Sequence, residues 1–275
     1  MDEWRFPGRA TPPGSSVYYS IRFAPSGLRD DLARLAGWRH EIAAIPDTVS
    51  DPVVALRKLD WWREEFDRTL AGAPRHPLTC ALAPVLVRHR LPAAPFLAIA
   101  ARAEAEIRRH EPADRPALEA EEEGDLGALF ELHARCHGLV DADRLARVRR
   151  LGGFCGQVER LRDAGRRLRA GRPVFARDRL AAAGLLGATL ATAGARGRLV
   201  PLVAAAAAET RDHGALIAAA DLPACLRIRA RLAQRLLAEL TAPDADVIDA
   251  RIALTPLNKL WHAWRESRRR PAAPQ

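Results

Sequence analysis

The sequence runs to 275 residues with a net charge of +9, and only Lys58 and Lys259 are lysines among 43 basic residues. A chain of this length can close one large hydrophobic core without disulfides or a structural metal. Cys80, Cys136, Cys155 and Cys225 lie far apart with no C-x-x-C pair, which fits reduced thiols packed in a cytosol-like compartment and excludes a disulfide framework.

Residues 1–14 mix acids, arginines and prolines instead of a charged start and an apolar run, so they read as an N-terminal extension, not a signal peptide. Strand signals are nearly absent and helical periodicity runs through the chain, which predicts an all-α fold. A first helix is expected from near Ser26, carrying Leu28, Leu32, Leu35 and Ile42 on one side. Asp51-Pro52 is a helix start with the acid at the N-cap and the proline in the first turn. Gly72 and Pro74 end that helix, and further helices are expected over 76–89, 92–110, 124–138 and 141–170. The last ones span 176–195, 200–219, 223–240 and 243–267.

The connections are too short for a flexible linker, so residues 15–267 form one expected domain and 268–275 a disordered tail. The acidic run Glu119 to Glu123 reads as a solvated helix start favoured by the helix dipole. Residues 180–195 are uncharged but shorter than a membrane span, so a buried helix is expected there; peripheral membrane contact stays open.

Charge is uneven. Residues 144–179 hold twelve arginines against Glu159, Asp163 and Asp178, a field able to attract phosphate, nucleic acid or an anionic membrane. No zinc finger, aromatic-basic sheet motif or helix-turn-helix accompanies it, so nucleic acid is not the expected partner. His133 and His137 stand one helical turn apart, as a zinc site would want, but no further ligand pair is evident.

Four segments in order resemble the squalene/phytoene synthase family. They are Ser15 to Pro25 with its Ser16 and Tyr18, Lys58 to Glu65 followed by His76-Pro77, Leu161-Arg162-Asp163 followed by Gly171-Arg172, and residues 223–265 with Arg251 and Lys259-Leu260-Trp261. The resemblance implies an isoprenoid-synthase-like bundle of about ten helices around a central cavity. It also implies ionisation of an allylic diphosphate by Mg²⁺ held between two carboxylate clusters on facing helices.

Aligned without gaps from Pro25, the first cluster falls on Ala43, Ala44 and Asp47, with His40 where an arginine is expected; only Asp47 is acidic. In the second cluster Asp163 remains, Glu159 stands where the family has an amide, and Arg166 and Arg167 fill the following positions. Asp47 and Asp163 are therefore expected as vestigial metal positions facing one another. Ser16, Tyr18, His40, Arg162, Arg166, Arg167 and Arg172 are the implied substrate-binding residues, because arginine forks can hold a diphosphate without metal.

Structural roles compete with these. Asp163 can pair with arginines of its own helix, Asp47 can cap the turn before Asp51, and Trp61, Trp62, Ser16 and Tyr18 can serve packing. The residues from Glu41 to Pro77 look closest to the family branch that includes a mitochondrial complex I assembly factor, which also lacks the metal aspartates. The expected function is a prenyl-diphosphate- or lipid-binding or assembly-type protein without a cofactor, with a protein partner open. The alternative is an active head-to-head prenyltransferase using Mg²⁺ on farnesyl- or geranylgeranyl-type diphosphates.

Overall fold

A computed structural model describes residues 3–186, 193–211, 221–242 and 245–269. Among these the chain is helical and no strand occurs. In order, α1 is Ser16–Arg22, α2 Arg29–Thr48, α3 Pro52–Leu70, α4 Pro77–His89, α5 Ala94–Ile107, α6 Arg115–Glu122 and α7 Ala128–Cys136. There follow α8 Ala142–Arg162, α9 Ala164–Arg169, α10 Arg177–Ala182, α11 Ala193–Arg211, α12 Ala224–Leu240 and α13 Pro256–Ser267.

Caps set most of the boundaries. The Asp51 carboxylate accepts from Val53 N at 2.7 Å and the Pro52 ring starts α3, as expected from that pair. Thr255-Pro256 does the same for α13, whose Thr255 hydroxyl accepts from Asn258 N at 3.3 Å. This second pair shows why the helix expected over 243–267 begins only at Pro256. A residue before proline is pushed out of helical geometry, and 245–255 form turns and extended chain instead.

Helix α1 precedes the first expected helix, capped by Ser15 Oγ on Tyr18 N at 3.0 Å. The helix expected over 141–170 breaks at Asp163, where α8 ends and α9 begins. The helix expected over 180–195 is also interrupted: α10 ends at Ala182 and Gly184 takes a φ of +62° that ordinary residues avoid. Residues 187–192 of that stretch lie outside the described residues, as do 270–275 of the expected tail.

The core packs Trp38, Trp62, Phe66 and Phe96 between α2, α3 and α5, with Trp38 edge-on to Trp62 at 5.7 Å and Phe66 stacked on Phe96 at 4.8 Å. Beside it, the fully buried Glu65 carboxylate accepts from Arg75 N, His76 N and Thr79 Oγ1 at 2.7, 2.8 and 2.5 Å. It thus satisfies the donors of the α3–α4 turn. The acid of the W-W-R-E-E segment is therefore a structural anchor, and Trp62 is core while Trp61 reaches the surface. The N-terminal extension is docked as well, since Trp4 is buried against the bare α-carbon of Gly37.

A row of small residues fixes the middle of the bundle. Between α6 and α7, residues Glu123–Gly127 form one wide π-helical turn that lies against Gly152, Gly153 and Gly156 of α8. A Cβ on Gly152 would sit 2.5 Å from the Gly127 α-carbon, and one on Gly156 would overlap the Glu122 carboxylate. Only glycine lets the two backbones come this close.

Candidate functional site: two adjoining chambers

Two cavities of about 400 and 450 Å³ adjoin at the centre of the bundle and share Arg39, His40, Glu159, Arg162 and Arg251 as common wall. The first lies between the C-terminal half of α2, α5, the turn after α6, and the α8–α9 junction. Its side chains recur at one-turn spacing on each helix: His40, Ala44 and Asp47 on α2, Arg102 and Glu106 on α5, Glu159 and Asp163 at the end of α8.

Eight arginines and six carboxylates line this first chamber. Every one of the six carboxylates accepts from or pairs with a guanidinium. Deepest is Glu122, which takes Nε and Nη2 of Arg160 at 2.8 and 2.5 Å, while Glu121 takes the same Nη2 at 3.1 Å. Arg102 joins Glu106 at 2.7 Å, and Arg167 Nη2 donates to both Glu106 oxygens at 2.7 and 2.9 Å. Arg39 grips Asp125 through two bonds of 2.8 and 2.6 Å. Glu159 is held by Arg229.

Asp47 and Asp163, the two acids expected to face one another, are joined by one arginine. Arg166 donates to Asp47 at 2.8 Å and to Asp163 at 3.4 Å. Arg172 adds a second contact to Asp47 at 2.5 Å, and Asp163 receives Arg162 at 2.8 Å and Arg251 at 3.0 Å. Arg251 comes from the 245–255 loop, which docks because Gly165 has no side chain where Ile248 O approaches.

The electrostatics follow the pairing. Burial pulls Asp163 up, but Arg162 and Arg251 outweigh it and leave the carboxyl down at about 2. Glu106 is also down at about 2, its burial outweighed by Arg167 and Arg102. Glu122 and Glu159 are shifted downward in the same way, against burial, by Arg160 and Arg229 respectively. All four stay ionised at neutral pH.

The second chamber carries a larger excess of positive charge. It lies between α1, α2, α7, α12 and α13, and beyond the shared wall it adds the cations Arg9, Arg229 and Lys259, with Glu159 as the single carboxylate of its lining. Burial first, then the charges of Arg162, Arg229 and Arg251, push Lys259 below its usual value, the mark of a positive local field. Lys259 Nζ donates to Gly14 O at 3.0 Å and so ties the N-terminal segment to α13. Burial, with Arg9 and Arg39 acting against Glu41, lowers His40 on the shared wall.

Of the residues expected to bind substrate, Ser16 lines the second chamber, Arg166, Arg167 and Arg172 the first, and His40 and Arg162 both. Tyr18 lines neither. It stacks on Phe6 at 5.3 Å and accepts from Arg22 at 3.0 Å. Arg167 is spent on Glu106 and the Pro173 carbonyl. The imidazoles of His133 and His137 part company: His133 bonds Leu32 O at 3.1 Å and His137 meets Cys225 Sγ at 3.3 Å.

The acidic run is corrected. Glu121 and Glu122 close a helix and turn inward to Arg160, where the sequence suggested a solvated start. The sequence reading also missed Arg39, Arg102, Glu106, Asp125, Arg160 and Arg229. Two signals pointed to them: the Arg102–Glu106 pair one turn apart on a mostly apolar helix, and the glycine row on α8 that invites a close neighbour.

A helical bundle with a charged central cavity entered by two facing helices defines the class of protein. The squalene/phytoene synthase model matches residues 10–259, and the chain belongs to that family. Among solved structures it is similar to a dehydrosqualene synthase in complex with ligand, at a TM-score of 0.78 and 17% identity over 91% of this chain and 90% of that one. Squalene synthase HpnC from Alicyclobacillus acidocaldarius gives 0.62 and 22% over 81% and 86%. TcSQS with the ligand E5700 gives 0.65 and 16% over 92% and 82%. No curated protein matches the chain in sequence.

Proposed function

We propose that this chain binds a prenyl diphosphate, or a lipid with a similar phosphate head, through arginine and without magnesium, and acts as a binding or assembly protein. The observation that carries the reading is Arg166, whose guanidinium spans Asp47 and Asp163. Magnesium needs dense, available carboxylate charge because it gives up its waters reluctantly. Here the acids of the first chamber are already neutralised by guanidinium, and Ala43 and Ala44 offer no donor on the α2 wall. The residues present therefore do not fit Mg²⁺. Among the described residues, no three His, Cys, Asp or Glu side chains are grouped as a ligand set.

The second chamber supplies what a diphosphate needs instead. Arg162, Arg251, Arg229 and Lys259 converge there next to the Ser16 end of α1, and their positive charge exceeds that of Asp163 and Glu159, which they meet. Guanidinium forks and an ammonium hold phosphate oxygens by charge-assisted hydrogen bonds. The likeness of residues 41–77 to the branch with a complex I assembly factor supports the same side.

Two measurements test the proposal. Calorimetric binding of farnesyl diphosphate should be unchanged by chelator and weaken as salt rises. Labelled farnesyl or geranylgeranyl diphosphate with Mg²⁺ should yield no squalene, phytoene or presqualene diphosphate above background. Product that vanishes in Asp47→Ala and Asp163→Ala proteins would establish the active prenyltransferase instead.

A further inference from the structure

Helix α13 is inverted relative to an ordinary surface helix. Its inward residues include the small Ala263 and the acid Glu266, which Arg227 holds at 3.1 Å. Its large apolar residues, Leu257, Leu260, Trp261 and Trp264, recur at i, i+3, i+4 and i+7 on the outer face. Leu257 is 80% exposed, Trp261 56% and Trp264 39%. The two indoles stack at 5.4 Å, and the Arg268 guanidinium lies over Trp264 at 4.6 Å.

The rim of this face is basic. Arg265 and Arg268 are exposed at the C-terminal end of α13. Arg231 and Arg235 of α12, together with Arg265, place positive charge around His262, whose pKa burial and these cations lower. Among the described residues no carboxylate pairs with Arg231, Arg235, Arg265 or Arg268, in contrast to the arginines of the first chamber. Arg269 alone in this cluster reaches an acid, Glu266, at 3.4 Å.

We infer that the outer face of α13 docks the protein on an anionic phospholipid surface, with Trp261 and Trp264 in the interface and the arginines against the lipid head groups. Indoles prefer the boundary between head groups and acyl chains, leucines add apolar burial, and each arginine gains from a negative leaflet. A second copy would bring the same cationic rim against itself, and Leu257 and Leu260 offer a nucleic acid nothing to bond. The inference is independent of the proposed ligand. It does, however, place the docked face on the helix whose Lys259 lines the second chamber.

The test uses the full chain and sedimented vesicles of phosphatidylcholine, with or without about 30 mol % phosphatidylglycerol. Partitioning should rise about tenfold or more with the anionic lipid and fall again in high salt. Trp261→Ser/Trp264→Ser should lower it about tenfold, and Arg265→Gln/Arg268→Gln about fivefold, with unchanged helical circular dichroism. Should a variant misfold, tryptophan emission of the unaltered protein should still be quenched by brominated acyl chains. Equal binding to neutral vesicles, no quenching, tighter binding to poly(U) than to vesicles, or a dimer that shields the indoles would overturn the inference.

Discussion

The two chambers share a wall of five residues yet use arginine in opposite ways. In the first, guanidinium is met by carboxylate within the protein, and the pairs are largely closed to solvent. In the second, Arg39, Arg162, Arg229 and Arg251 are paired as well, but six cations line it against the single carboxylate Glu159, and Lys259 meets a backbone carbonyl. The contrast teaches that arginine content alone does not mark a binding site. What matters is how much positive charge remains once the guanidiniums have taken their carboxylates.

The contrast should be clearest in stability. Arg160 and Glu122 have side chains 3% and 7% exposed, so Arg160→Ala leaves a buried acid whose remaining ion pair is the longer 3.8 Å contact to Arg102. A loss of about 3–5 kcal/mol in denaturant unfolding is expected. Arg251→Ala removes a side chain that is 68% exposed and leaves Asp163 with Arg162 and Arg166, so its cost should stay below about 1 kcal/mol. Equal losses would erase the distinction between a buried pair and an exposed one.

The pH dependence should separate them next. His133, on the wall of the second chamber, is buried first of all and feels His137 as well, which takes it down to about 3. The unfolded chain then binds a proton near pH 6.5 that the folded one refuses, so stability declines as pH falls from about 6.5 towards 3. The size is on the order of 4 kcal/mol. The first chamber loses stability only lower down. Asp163 and Glu106 sit at about 2, so their contribution is complete above the unfolded carboxylate range near pH 4 and is lost as pH falls through 2, about 2–3 kcal/mol each. His133→Gln should shrink the upper phase of an unfolding-versus-pH series, leaving the shares of His40, His137 and His262, and keep the lower phase intact.

Ligand binding gives the smallest and most selective readout. Lys259→Ala and Arg251→Ala should each weaken farnesyl diphosphate by about tenfold in calorimetry, the loss of one charge-assisted contact. Glu106→Gln should leave affinity within about threefold, because its partners Arg102 and Arg167 face the first chamber. A larger effect there than at Lys259 would move the ligand across the shared wall.

Much of the scaffold was legible in the sequence, because caps and periodicity are local. Asp51-Pro52 and the ordered motif segments placed helices correctly, and family and fold followed from them. The ends that failed, at Asp163, Gly184 and Pro256, are places where a special backbone geometry overrides an unbroken periodic pattern. At the site, Asp47, Asp163, Arg162, Arg166 and Arg172 could be picked out because motifs carried them. Glu122, Arg160 and Arg229 could not, since a charge on a helix is usually solvated, and only the fold shows which charges turn inward. Tyr18 failed for a related reason: one residue of offset from Ser16 and Val17 sends its ring to Phe6 and Arg22.

The glycines of α8 carry a consequence for how this chain can vary. Gly152, Gly153 and Gly156 hold no charge, yet they set the depth to which the Glu123–Gly127 turn and Glu122 can sink. One added methyl at Gly152 would lift that turn and with it Glu122, Asp125 and the reach of Arg160 and Arg39. The pattern of arginine–carboxylate pairs would then shift without any ionisable residue having changed. The valence of the cavity is therefore governed by residues with no side chain, and a substitution scan confined to its charged lining would overlook them.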